Sequence, residues 1–349
     1  MGAWGDAGVH DLGGGCYAYL QPDGSWGLSN AGLVTDGGAA LLVDTLYDLK
    51  LTRRMLDAFR SETGAARIET VVNTHANGDH CYGNALLGGA AIVATRAAAE
   101  EMRQVKPRKM AGTVRAARVL SRLPWPLGEI PAGRGLVSLK EAGRFVWERF
   151  EHFEFAGIAF TPPTQTFSGT MTHRVGGTEV RLIEVGPAHT RGDLIVHVPS
   201  ARVVFAGDIL FHHGHPIVWT GPFRNWIRAF DLILEMDVAV VVPGHGPLAD
   251  KAAVRKQKQY LEYLAAEARR RFDAGQSVIQ AALDIPLDDY AGWGDAERIV
   301  ANVDALYREF RGDTSPPFPP RLFAMMATVA RARARAHPGG GSSRPRDQR

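Results

Sequence analysis

Cysteine is nearly missing from this chain: Cys16 and Cys81 are the only two among 349 residues. Two thiols do not build a disulfide framework, and a reducing cytoplasm is the simplest expected home. The N-terminus lacks a basic segment followed by an apolar run, so no secretory leader is read there. No apolar stretch reaches the roughly 20 residues of a membrane-spanning helix, and no membrane partner is expected. A single-sign charge excess is also missing from the body. The formal charge is +3, yet from Arg331 onward six arginines face only Asp347. That tail carries +5, which leaves the rest of the chain near −2. The basic balance therefore does not mark a nucleic-acid surface, and the tail is expected to be a disordered, solvated end.

What is present is ordinary globular composition, 45% hydrophobic and 22% charged, with length enough to bury a core. Short apolar runs, "CYAYLQ", "AGLVTD" and "AALLVDT", read as strands between Gly-rich turns. Residues 48–60 have helical spacing, with Leu49, Met55, Leu56 and Phe59 on one side. Strands "IETVVNTH" and "AAIVATR" follow, then a helix from about Ala97. Over 101–168 the texture changes, from basic "RQVKPRK" through "RLPWPLGEIPAGRG" to "RFVWERFEHFEFAGIAF". Strands return as "GTMTHRVGG", "EVRLIEV", "LIVHV", "RVVFAGD" and "VAVVVPG", with a helix near Trp226 to Met236. Residues 250–312 look helical, and Pro316 to Pro320 break the chain before a last short helix and the tail. These alternations predict an α/β fold of sheets covered by helices. The expected division is a catalytic domain over 1–315 and a helix plus tail over 316–349. Within the former, 101–168 is an insertion or lid over one edge and 250–312 supplies extra C-terminal helices.

Metal-capable side chains recur directly after the apolar strands. "VVNTHANGDH" supplies His75, Asn77, Asp79 and His80; "LIEVGPAHTRGD" supplies His189; "VVFAGD" supplies Asp208; "VAVVVPGHGP" supplies His245. Loops at strand ends can converge on one point, and neutral imidazoles with carboxylates suit zinc, iron or manganese. A lone histidine at a strand end is usually a satisfied polar group. Two histidines and an aspartate within six residues, joined by three further strand-terminal candidates, are not an accident of composition.

"THANGDH" resembles the T-H-x-H-x-D-H signature of the metallo-β-lactamase-fold superfamily, with Asn77 as its one departure. "GPAHTRGD", "FAGD" and "PGHGP" are similar to the later motifs of that family, in order. The resemblance covers about residues 14 to 250 and implies a four-layer αββα sandwich with metals at one end. It implies His75 and His189 on a first metal, with Asn77 in place of the third imidazole. Asp79, His80 and His245 fall on a second, and Asp208 bridges the two. It further implies one or two Zn(2+) ions that acidify a water for attack on a carbonyl or phosphoryl centre, with Asp79 and Asp208 as the catalytic carboxylates.

Asn77 leaves three outcomes open: a loosely held first ion, an empty first site, or one iron on His75, His189 and Asp208 as in non-haem oxygenases. A further reading makes Asn77 a turn former only. Gly78 is expected to free the backbone so that His75 and His80 aim inward. Cys81 is read as a packing residue, and Asp44 as either an outer partner of a ligand histidine or a helix cap. Trp147, His212, His215 and Trp219 are the candidate substrate contacts. They belong to a wider aromatic set, with Trp125, Phe145, Phe150, Phe153, Phe155, Phe160, Phe223 and Trp226, that favours a bulky apolar substrate.

The leading expectation is a metal-dependent hydrolase. The resemblance extends it to a polyketide cyclase or thioesterase acting on a small-molecule substrate, free or carrier-bound. An iron oxygenase and a non-catalytic binding protein are the alternatives. The oligomeric state stays open, a homodimer among the choices.

Overall fold

Side chains along "AALLV" point to opposite sides of a sheet: Leu41 and Val43 enter one buried cluster, Ala40 and Leu42 another. That is the period of two of an extended chain buried on both faces, and it organises the whole molecule. The computed structural model describes residues 6–336 apart from 22, 65, 124–128, 133 and 134. The first sheet starts as an antiparallel meander, β1 (Gly8–Gly13), β2 (Cys16–Leu20), β3 (Ala31–Asp36) and β4 (Ala39–Val43). After α1 (Leu49–Thr63), β5 (Arg67–Val72) adds in parallel. The short α2 (Gly78–Cys81) then leads to β6 (Ala91–Thr95), also parallel.

The inserted region follows: α3 (Arg96–Met102), α4 (Pro107–Leu120), a hairpin of β7 (Glu129–Ala132) and β8 (Gly135–Ser138), and α5 (Leu139–Phe150). It ends by returning to the sheet, where β9 (Gln165–Phe167) pairs with β6 as the edge strand. The segment read as a pure insertion thus donates its last residues to the scaffold.

The second sheet runs β10 (Thr170–Val175), β11 (Thr178–Glu184), β12 (Leu194–Val198) and β13 (Val203–Phe211) antiparallel. After α6 (Phe223–Glu235), β14 (Val240–His245) joins in parallel. The inner faces interdigitate through Ala18, Val34, Leu41 and Val72 from one sheet and Val180, Leu182, Val196 and Val242 from the other. Helix α1 covers the outside of the first sheet with Met55 and Phe59 against Leu33, Leu42 and Val71. Its start is fixed by Asp48, whose carboxylate accepts the Leu51 N–H at 2.8 Å. On the far side α6 and α7 (Lys251–Asp273) cover β13, all of whose nine residues are buried. The expected αββα layering is what the chain forms.

Beyond it lie α8 (Val278–Asp284), α9 (Ile299–Arg311) and α10 (Pro319–Ala336). The last helix is longer than expected, with 18 residues, and it absorbs Arg331, Arg333 and Arg335 from the expected tail. Arg331 pairs with Glu141 at 3.0 Å, and Arg333 donates to the Ala282 carbonyl at 2.7 Å. The physical reason is its buried stripe, Leu322, Met325, Met326 and Val329, which holds the helix against α5, α8 and α9. The remaining tail, 337–349, lies outside the described residues, as does Trp125. Among the described residues no helix is long and apolar enough to cross a membrane.

Candidate metal centre

Residues on or following four strands, β5, β11, β13 and β14, converge on one point at one rim of the sandwich. His75 and α2 follow β5, His189 sits in the loop between β11 and β12, Asp208 lies on β13, and His245 ends β14. Asp208 is the hub. Its Oδ1 lies 3.0 Å from His80 Nε2 and 3.5 Å from His245 Nε2. Its Oδ2 lies 3.3 Å from His189 Nε2 and 3.7 Å from His75 Nε2. Asp79 Oδ2 is 3.5 Å from His245 Nε2, on the partly open side of the cluster. Gly244 makes room for this: a Cβ there would stand 2.0 Å from Asp208 Oδ1.

All four imidazoles are wired alike. His189 Nδ1–H donates to the Ile217 carbonyl at 2.6 Å, and His245 Nδ1–H to the Gly24 carbonyl at 3.0 Å. His80 Nδ1–H donates to Asp44 Oδ2 at 2.9 Å. His75 Nδ1–H donates to the Thr74 hydroxyl at 3.0 Å, which in turn donates to Asp44 Oδ2 at 2.6 Å. With each Nδ1–H committed outward, each Nε2 points inward, the orientation a metal ligand needs. Asp44 is therefore an outer partner of two histidines; the cap of α1 is Asp48. Asp193 was not foreseen. It accepts from the Thr190 N–H and hydroxyl and the Ala188 N–H, bracing the loop that carries His189. The only sequence signal was its place at the end of "GPAHTRGD".

The charge balance points the same way. Burial works against the His80 and His245 cations, but the Asp208 carboxylate with Asp44 on one and Asp79 on the other overrides it. His80 is raised well above the ordinary histidine value and His245 to about 9. Burial, reinforced by the His80 charge, instead lowers His75. Burial also opposes ionisation of Asp208, yet the surrounding imidazoles hold its carboxyl well below the usual range. Three buried atoms, His75 Nε2, His80 Nε2 and Asp208 Oδ1, have no hydrogen-bond partner within the ordinary criteria. Unpartnered buried donors and acceptors are costly, and a cation would satisfy all three. Two triads have their ligand atoms within 4.8 Å of one another, His75–His80–Asp208 and Asp79–His80–His245. The residues fit a metal ion.

Residues 24–245 match the metallo-beta-lactamase superfamily. The chain belongs to this superfamily. No curated protein matches it. Among solved structures it is similar to the inverting sec-alkylsulfatase Pisa1 from Pseudomonas sp., with 16% identity, a TM-score of 0.58, 90% of this chain and 52% of that one covered. A double mutant of PisA1 gives 18% identity and a TM-score of 0.61 over the same shares. The chain thus spans about half the length of the sulfatase. A metallo-beta-lactamase family protein from Thermus thermophilus gives 20% identity and a TM-score of 0.58, covering 89% of this chain and 98% of that one. These likenesses establish the superfamily fold.

Asn77 departs from the signature in a way that the geometry makes concrete. It precedes α2 in extended conformation, and its side chain makes no capping hydrogen bond. Its amide instead reaches His189 Nε2 at 3.0 Å, so the side chain faces the cluster and is more than a turn former. Gly78 is needed for a different reason from the one expected. Its backbone is not in the left-handed region; a Cβ there would collide with the Tyr82 ring at 2.5 Å. Cys81 is a buried thiol facing the Ala76 carbonyl, and burial pushes its pKa well up.

The substrate candidates scatter. Trp219 stays beside the site: its backbone N–H donates to the His189 carbonyl at 3.0 Å, and its half-buried ring lies edge-on to Phe323 at 6.2 Å. His212 turns its Nδ1 to the Pro247 and Leu248 carbonyls, behind β14. His215 is buried between Tyr260 and Trp293, with Nδ1 3.1 Å from the Tyr260 hydroxyl. Trp147 lies on α5 beneath Arg118, 5.2 Å from ring centroid to guanidinium carbon. Trp226 is core, backing His189 and donating to the Ile209 carbonyl. An aromatic cluster that sequence reasoning missed centres on Trp26, whose ring meets Phe150 at 6.0 Å and Phe323 at 5.9 Å. Its contacts come from residues more than a hundred positions away, so nothing local announced it.

Proposed function

We propose that this chain is a zinc-dependent hydrolase that cleaves an ester or thioester carrying a bulky apolar or aromatic acyl group. The observation that carries the reading is the ring of inward Nε2 atoms around Asp208, three of its buried atoms unpartnered. A divalent cation among them supplies Lewis acidity, acidifying a water and polarising a carbonyl. Imidazole and carboxylate donors favour zinc. Asp79, partly open and 3.5 Å from His245 Nε2, would help hold the ion and orient a water beside it through its carboxylate. Trp226 and Phe211 exclude solvent behind His189 and His245, Phe211 stacking on His245 at 5.1 Å. The aromatic roof of Trp26, Trp219 and Phe323 supports the choice of acyl group. A polyketide-type thioester, free or carrier-bound, is the substrate we favour.

One tight ion is expected. Both triads use the same nitrogen of His80, because its Nδ1 serves Asp44, and one lone pair serves one cation. The amide of Asn77 engages His189 Nε2, which weakens a second position. The iron-oxygenase reading requires His75, His189 and Asp208 to close on one ion, and these three are not among the compact triads. Zinc titration of chelator-stripped protein should show one tight equivalent per chain, with Asn77→His tightening a second. Aryl thioester hydrolysis should stop with chelator and return with zinc. Two equally tight ions would overturn the stoichiometry. Turnover limited to sec-alkyl sulfates or β-lactams would overturn the substrate class.

A further inference from the structure

Helix α4 carries an unneutralised row of cations. From Arg103 to Arg122 the chain has seven basic residues and no carboxylate, while the body around it is near −2 without the tail. All seven, Arg103, Lys106, Arg108, Lys109, Arg115, Arg118 and Arg122, are exposed. None has a carboxylate within 4.0 Å among the described residues. Among the described residues, three acids of α3 and α5 are engaged elsewhere: Glu148 with Arg144, Glu141 with Arg331, Glu100 with Arg191.

The helix also sorts these charges. At about 100° per residue, Arg108, Arg115 and Arg118 fall within one quarter of the helix circumference, away from buried Ala117, and Arg122 follows in the turn after the helix. At 1.5 Å per residue the three helical arginines span roughly 15 Å. Arginine forks pair with carboxylates in two parallel hydrogen bonds, so such a row suits a linear array of acids better than a diffuse anion cloud. The exposed residues flanking the row include Gly112, Ala116 and Val119. Val119 and the Phe160 ring beneath Lys106 are too little apolar surface to anchor a helix in a lipid interface, and one exposed ring does not make a stacking row for bases.

We propose that the exposed face of α4 is a docking surface for an acidic helix of a partner protein. Charge complementarity and the row's length select that occupant. The surface adjoins the catalytic end. Helix α4 packs along α5, which supplies Phe145 and Phe150 to the roof, and the turn before α4 accepts the Tyr82 hydroxyl at Val105 O, 2.6 Å, one residue after α2. A docked partner could therefore present a tethered group to the roof, although the docking itself does not rest on the hydrolase reading.

The test uses the full chain and a fluorescein-labelled, alanine-based helical 20-mer bearing a glutamate row of matching spacing. Anisotropy should show binding that weakens with added salt. Replacing Arg108, Arg115, Arg118 and Arg122 together by glutamine should weaken it about tenfold or more, whereas the same exchange at Lys50, Arg53, Arg54 and Arg67 should leave it unchanged. Arg115→Gln alone should give a smaller loss with an unaltered melting temperature. No binding by the wild type, or equal loss in both quadruple variants, would overturn the proposal. So would tighter α4-dependent binding to 4:1 phosphatidylcholine–phosphatidylglycerol vesicles or to a 20-nucleotide single strand. Thioester hydrolysis is read separately, so failure of one leaves the other standing.

Discussion

The floor and the roof of the metal end are built by different physics. In the floor, each imidazole is fixed by a hydrogen bond of 2.6–3.0 Å to a carbonyl, hydroxyl or carboxylate that is itself held by a strand end. In the roof, Trp26, Phe145, Phe150 and Phe323 meet at ring separations near 6 Å. Hydrogen bonds fail within tenths of an ångström, whereas ring contacts tolerate sliding and substitution. The floor is thus suited to holding an ion in one geometry, and the roof to absorbing changes of shape. Changes in the floor should read out as metal affinity, and changes in the roof as stability.

The sharpest break of the floor is Asp208→Asn. Removing the charge at the hub leaves four imidazoles around a neutral group, and cation affinity should fall by more than the roughly 100-fold expected for an outer partner. Competition against a chromophoric chelator measures it; unchanged affinity would remove Asp208 from the centre. Asp44→Asn is one step gentler. It strips charge from the group that orients His80 and, through Thr74, His75. A loss of about 10- to 100-fold in affinity is expected, with the circular dichroism spectrum retained. In the roof, Phe323→Ala should cost about 2 kcal/mol in urea unfolding, less than a fully buried ring because Phe323 is half-exposed. The same variant should bind zinc normally. If its zinc affinity fell as far as that of Asp44→Asn, floor and roof would be one unit and the contrast would be lost.

The same contrast explains what was legible in the sequence. The floor is written in short motifs because each ligand needs its neighbours in register: His75 follows the last residue of β5 at a fixed spacing, and Asp208 follows Gly207 on β13. The αββα layering was equally readable, since Leu41, Val43, Ala40 and Leu42 state the two-sided burial in four letters. The roof was not. Trp26 meets Phe150 and Phe323 across the chain, and no local period encodes a contact of that span. The loop histidines misled for a related reason. His212 and His215 share a sequence neighbourhood with Asp208, but one turns to the Pro247 and Leu248 carbonyls and the other to Tyr260 once β13 ends. The length of α10 was hidden because the arginines that suggested a solvated tail begin directly after its buried stripe, which ends at Val329.

His215 gives the smallest effect and joins the two regions. It sits where β13's following loop meets the C-terminal helices, with Arg298 donating to its carbonyl at 3.1 Å. Burial first, then the charges of Arg333 and Arg298, lower its pKa to about 3. All three act against the imidazolium, so the folded chain holds this ring neutral. An unfolded chain protonates it near 6.5. A depressed histidine contributes stability that is present above the unfolded pKa and is lost as pH falls toward the folded one. Between pH 7.5 and 5.5, with zinc saturating to keep the floor constant, this ring should remove about 1.4 kcal/mol of stability. His215→Gln keeps a polar partner for Tyr260 without a titrating group, and should flatten that portion of the profile. An identical acid slope in wild type and variant would place the acid sensitivity elsewhere. It would then belong to the floor, where Asp208 and its imidazoles titrate together, and the junction would be inert to pH.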